Sequence, residues 1–188
     1  MCLTIRKIGL GDDVQSLWNA KKAEGYSYQK LPDNKLFFNF FRLSKDNENV
    51  IIGSNKKNEV SMFVYSESIP SANINDIYVK YLEFLFKNRY APMPEHLKKS
   101  FPVNDDFQLL NGAMSANGDF VLLGKSKDTH DVNRDIWMSI VGSPSRMGQR
   151  IPDRTRYSRI ASGEDCRSID IWDVIGTAGT VAGIFSLF

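Results

Sequence analysis

Hydrophobic positions along this chain fall into short blocks of differing period, separated by turn residues. Residues 2–8 alternate loosely, which predicts a short strand or an ordered arm. Asp12 and Asp13 then read as a helix start, with Val14, Leu17, Trp18 and Lys21 following at helical spacing until Gly25. Residues 36–43 are almost wholly aromatic or apolar and predict a buried strand. Asp46-Asn47-Glu48-Asn49 turns the chain, and residues 50–53 pair back as a hairpin. Residues 59–65 form another strand, with Val60, Met62 and Val64 on one face and Ser61, Phe63 and Tyr65 on the other.

The clearest helix begins at Asn75. Asn73 or Asn75 supplies a cap, Asp76 suits the positive end of the dipole, and Lys87 and Arg89 suit the negative end. Ile77, Tyr81 and Leu85 recur at one-turn spacing beside Tyr78, Leu82 and Phe86, so this helix faces a core. Pro92 and Pro94 forbid its continuation and open a loop. Residues 107–110 and 119–124 read as a strand pair around Asn117-Gly118. Residues 125–135 are charged and predicted exposed, 136–141 are a short apolar block, 143–168 are polar, and 174–188 are apolar. Separated strands with one or two helices predict an α+β fold, a small antiparallel sheet packed against one or two principal helices. The organisation expected is an N-terminal arm with a short helix (1–34), a core (35–142), and a basic loop with an apolar tail (143–188).

At 188 residues the chain fits one domain, and 42% apolar with 24% charged residues excludes a disordered tail or a fibrous repeat. Two cysteines, Cys2 and Cys166, make no disulfide framework. The 24 basic and 22 acidic side chains leave +2, far from a dedicated nucleic-acid binder. The first thirteen residues lack the continuous apolar stretch of a secretory signal. The 15 uncharged residues from Val174 to Phe188 fall short of the roughly 20 needed to cross a bilayer.

Little of the sequence points to catalysis. His96 and His130 are the two histidines, and neither has the spacing of a metal pair. Cys166 follows Glu164 and Asp165, whose charges oppose a thiolate. Asp128, His130, Asp131 and Asp135 are a candidate cation cluster, equally well explained as a solvated loop. Phosphate-binding and nucleophile-elbow motifs are absent from the sequence, so no cofactor and no metal is expected.

Two stretches suit surfaces instead. Arg146, Arg150, Arg154, Arg156, Arg159 and Arg167 face only Asp153, Glu164 and Asp165, six charges against three, and the arginine fork binds phosphate bidentately. The final Ile184-Phe185-Ser186-Leu187-Phe188 follows a glycine-spaced run and is either core or a docking element.

Set in order, the opening MCLTIRKIGLG, the aromatic KLFFNFF, the helical KYLEFL (residues 80–85) and MPEHLKKSF (93–101) resemble a rhabdovirus matrix protein of the vesiculovirus branch. The chain departs from that family in lacking a long lysine-rich arm and PPxY or PTAP motifs. Its glycine-rich tail has no counterpart there. The resemblance implies a non-enzymatic viral structural protein that self-associates and links nucleoprotein–RNA to the anionic inner leaflet of a host membrane during assembly and budding, in the virion and host cytoplasm. It implies membrane or nucleocapsid contact through Arg6, Lys7, Lys21, Lys22, Arg150, Arg154 and Arg156. Self-association would use Ile184, Phe185, Leu187 and Phe188. Tyr28 and Leu31 fit a YxxL pattern that recruits host budding factors. The competing readings are a capsid or occlusion-type lattice protein without a membrane role, a small enzyme using His96 or His130, and a monomeric host-directed binding module.

Overall fold

The computed structural model describes residues 3–99 and 107–147. A tight hairpin of β1 (Thr4–Ile5) and β2 (Ile8–Gly9) leads into α1 (Val14–Ala23). The side chain of Asp13 accepts from the Ser16 amide at 2.8 Å, which satisfies an open donor and starts α1. After α1 come β3 (Ser27–Lys30), β4 (Phe40–Lys45), β5 (Glu48–Ser54) and β6 (Val60–Pro70). Then follow α2 (Ile74–Lys87), β7 (Ala91–Pro92), the single turn α3 (Glu95–Lys98), β8 (Gln108–Met114), β9 (Phe120–Lys127), β10 (Arg134–Gly142) and the single turn α4 (Pro144–Met147).

The fold is α+β, an antiparallel sheet packed against the principal helices α1 and α2, and with eight strands the sheet is larger than expected. Its order is β3-β4-β5-β6-β10-β9-β8-β7. The connectivity therefore repeats: a helix enters a four-strand meander twice, and the two meanders join where β6 and β10 pair from Arg134↔Pro70 to Gly142↔Met62.

Both faces of this sheet are apolar. On one, Leu43, Val50, Ile52, Phe63, Tyr65, Val121, Leu123 and Trp137 are buried under the hairpin, α1 and α2 through Leu3, Ile5, Ile8, Leu17, Ile74 and Leu85. On the other, Ile51, Met62, Val64, Leu122, Met138 and Ile140 are buried with Leu31, Phe37, Met93, Phe107 and Met147. Burial on both faces explains why β5, β6, β9 and β10 read as nearly continuous apolar runs. Three aromatic rings lie over glycines of the sheet. A Cβ at Gly53, Gly124 or Gly142 would sit under 3.0 Å from Phe37, Phe107 or Phe120 respectively.

Several expectations need correction. The segment read as an N-terminal arm is built into the domain: Leu3, Ile5, Ile8 and Leu10 are core residues and β3 is a strand of the sheet. The strand expected over 36–43 begins only at Phe40. Asn34 accepts the Leu36 amide at 2.8 Å, and this turn swings Phe37 onto Gly53. Asn73 makes no side-chain cap for α2, whose start follows a 3-10 turn over Ser71–Asn73. The loop after Pro92 holds one turn of helix. The segments 148–188 and 100–106, with the arginine stretch beyond Arg146 and the apolar tail, lie outside the described residues.

The glycine approaches make a prediction. Gly142→Ala forces the Phe120 ring off its seat and should destabilise the fold by about 1–3 kcal/mol. Chemical denaturation of the variant and the wild type measures it, and equal midpoints would refute the packing.

Candidate functional site

A polar concavity lies beside the β1–β2 hairpin. Arg6 and Lys7, the two turn residues, have φ of 52 and 60, a left-handed pair that usually calls for Asn or Gly. Their neighbours hold them there. Lys21 on α1 donates from Nζ to the Arg6 carbonyl at 2.6 Å and to Glu24 at 3.0 Å. The Arg6 guanidinium reaches Glu48 at 2.9 Å and Glu67 at 3.5 Å, and its Nε donates to the Tyr65 hydroxyl at 3.3 Å. Glu48 and Glu67 face one another across β5 and β6. The Tyr65 hydroxyl donates to Glu67 at 2.5 Å, and that of Tyr26 donates to Glu48.

Arg6, Lys21, Glu24, Tyr26, Glu48 and Glu67 line a cleft of about 420 Å³ with Lys7, Lys45, Asp46 and Asn47. Four cations (Arg6, Lys7, Lys21, Lys45) meet four carboxylates (Glu24, Asp46, Glu48, Glu67). The balance leaves no excess charge to draw in an ion. Burial and the neighbouring carboxylates push the Tyr26 and Tyr65 hydroxyls well above their ordinary pKa, so both remain protonated donors at neutral pH. Hydrogen bonding to Tyr65 holds the Arg6 guanidinium charged. Arg6, Lys21, Glu24, Tyr26, Glu48, Tyr65 and Glu67 satisfy one another, and no nucleophile is poised beside a base. The arrangement is a clasp that fixes the hairpin on α1 and the sheet.

The sequence-predicted residues separate around this clasp. Lys7 and Lys22 are exposed. Arg6 is half exposed yet committed to Glu48 and Glu67. Lys21 corrects the expectation of a surface contact: it is 2% exposed, one helical turn beyond the buried Leu17, and its ammonium is used inside the fold. The two YxxL residues have different surroundings, Tyr28 being 48% exposed and Leu31 buried. Tyr28 lies in β3 with its ring stacked on Phe41 at 5.2 Å and tilted on Trp18 at 5.4 Å, while Leu31 is buried in the opposite core.

His96 and His130 are both exposed and neither lines the cleft. Asp128 accepts from Ser68 and the His130 amide, and Asp135 lies 3.8 Å from Lys125. Among the described residues no cluster of His, Cys, Asp and Glu could hold a metal ion. Arg150, Arg154, Arg156, Ile184, Phe185, Leu187 and Phe188 lie outside the described residues.

A second surface escaped the sequence reading. Helix α2 buries Ile74 and Leu85 against the sheet, yet Val79, Phe84 and Phe86 are 44%, 44% and 45% exposed. Beside it, Leu3, Ile5, Phe84, Leu85 and Val121 line a groove of about 340 Å³ with Arg6 and Lys80 at the rim. The signal was present as an excess of apolar residues in α2, more than one sheet-facing stripe can absorb. Among the described residues no helix is long and apolar enough to cross a membrane.

No protein-family model, curated protein or solved structure matches the chain.

The clasp predicts a contrast between adjacent lysines. Lys21→Ala strands the Arg6 carbonyl and should cost about 1–3 kcal/mol. Lys22→Ala should stay within about 0.5 kcal/mol. Urea unfolding of both variants decides it, and equal effects would refute the clasp. The cap on α1 gives a pH signature. Bonds from the Ser16 amide and hydroxyl hold the Asp13 carboxyl below the usual carboxylate range. Its contribution is therefore complete above the unfolded pKa and lost as pH falls through the folded one. Asp13→Ala should lower the melting temperature at neutral pH, and the gap should close below about pH 4.

Proposed function

We propose that this protein is a non-enzymatic structural protein that works by self-association, of the matrix kind its short segments resemble. The observation that carries the reading is the outward face of α2, where three large apolar side chains, Val79, Phe84 and Phe86, stand in solvent. Such residues on a folded domain suit a partner surface. The internally neutralised clasp and the two exposed histidines supply no catalytic constellation, which favours assembly over the small-enzyme reading.

In this reading, contact with an anionic membrane or nucleoprotein–RNA falls to Lys7 and Lys22 together with the arginine stretch Arg150, Arg154 and Arg156. Each lysine or arginine near an anionic surface contributes on the order of 1 kcal/mol, so such contact is salt-sensitive. The lattice-protein alternative lacks this second contact.

Light scattering over protein concentrations from about 1 µM to about 1 mM tests the assembly reading. The mean mass should rise with concentration, and the double variant His96→Ala/His130→Ala should behave identically. A mass that stays monomeric throughout overturns the proposal. Sedimentation with vesicles carrying anionic lipid separates the two structural readings: binding that fades with salt and weakens in Lys7→Glu/Lys22→Glu supports the matrix role, and absence of binding leaves a lattice protein alone.

A further inference from the structure

We propose that α2 pairs antiparallel with α2 of a second copy of this chain, about a two-fold axis. This rests on the self-association reading above and names the surface that performs it.

Asp76, Val79, Lys80, Glu83, Phe86 and Lys87 are all exposed. Their spacing of three or four residues puts them on one side of the helix, opposite the sheet-bound Ile74 and Leu85. Along that side the charges alternate: Asp76, Lys80, Glu83, Lys87. An alternating sequence of two acids and two bases is its own complement when reversed. Antiparallel pairing sets Asp76 against Lys87 of the other copy and Lys80 against its Glu83, four ion pairs by symmetry. The same axis brings Val79 toward Phe86 of the other copy. Parallel pairing sets like against like.

Support within the helix is the simpler explanation of such spacing. Yet among the described residues none of these four charged groups makes an ion pair, so neither Asp76 with Lys80 nor Glu83 with Lys87 is closed. Intrahelical pairs would also leave Val79 and Phe86 unexplained. The helix has 14 residues and spans about 21 Å, so the contact is smaller than a standard stable interface. A weak contact of this kind gains strength when repeated in an assembly.

Two full-length variants test it by equilibrium sedimentation. Lys80→Glu/Lys87→Glu makes the four charged positions wholly acidic, and Asp76→Lys/Glu83→Lys makes them wholly basic. Each variant alone should associate at least about tenfold more weakly than the wild type, and an equimolar mixture of the two should recover association. Circular dichroism shows whether both keep native helix content, as changes confined to the solvent side should allow. Variants that associate like the wild type, or a mixture no tighter than either alone, overturn the helix pairing. If the wild type associates while the variants are unaffected, only this pairing falls; a wild type that stays monomeric overturns the assembly reading with it.

Discussion

A sheet that is apolar on both faces must be covered twice, and everything else in this protein follows from how that is done. The first face takes the hairpin, α1 and α2; the second packs with Leu31, Phe37, Met93, Phe107 and Met147, residues of loops and single turns. The regular elements thus gather on one side. Short connecting segments on the other must supply bulky side chains, which is why Phe37 and Phe107 fold over glycines that leave room for a ring.

The helical side carries its own tension. The hairpin reaches its place only by holding Arg6 and Lys7 in left-handed conformations, and the cation–carboxylate network from Lys21 to Glu67 opposes that strain. Charge spent in this way is withdrawn from the surface. Of four N-terminal basic residues that look alike in sequence, one is buried, one is engaged with two carboxylates, and Lys7 and Lys22 face solvent. Helix α2 meets the sheet through Ile74 and Leu85 and leaves Phe84 and Phe86 outside, so an apolar groove lies beside the polar clasp, with Arg6 lining both.

Much of the fold was legible because local signals were strong. Asp13 caps α1, Gly25 at φ 92 ends it, and Gly118 at φ 81 turns β8 into β9, each as its residue type dictates. The extent of the sheet was not legible, since β3 is a four-residue polar stretch whose membership depends on pairing with β4. Residues 1–34 looked like an arm because their apolar residues are few and scattered; only the tertiary structure shows them converging on Val60, Phe63 and Tyr65. The candidate surfaces were harder still. Lys21 could have been suspected from its place one turn after Leu17, but its partners, the Arg6 carbonyl and Glu24, come from a turn and a helix end. The clasp joins residues from 6 to 67, a distance over which periodicity carries no information.

The doubled meander has a kinetic side. In the finished sheet β6 pairs with β10, Val64 opposite Ile140, yet α2 and three strands are made between them. On a growing chain the first meander can close while the outer backbone groups of β6, at 11 residues the longest strand among the described residues, have no neighbour. Such an open, apolar rim invites pairing with another nascent chain. Long-range pairing of this kind is also slow to form. The molecule passes through a vulnerable adolescence between the synthesis of its two halves, and crowding among nascent chains bears on that interval.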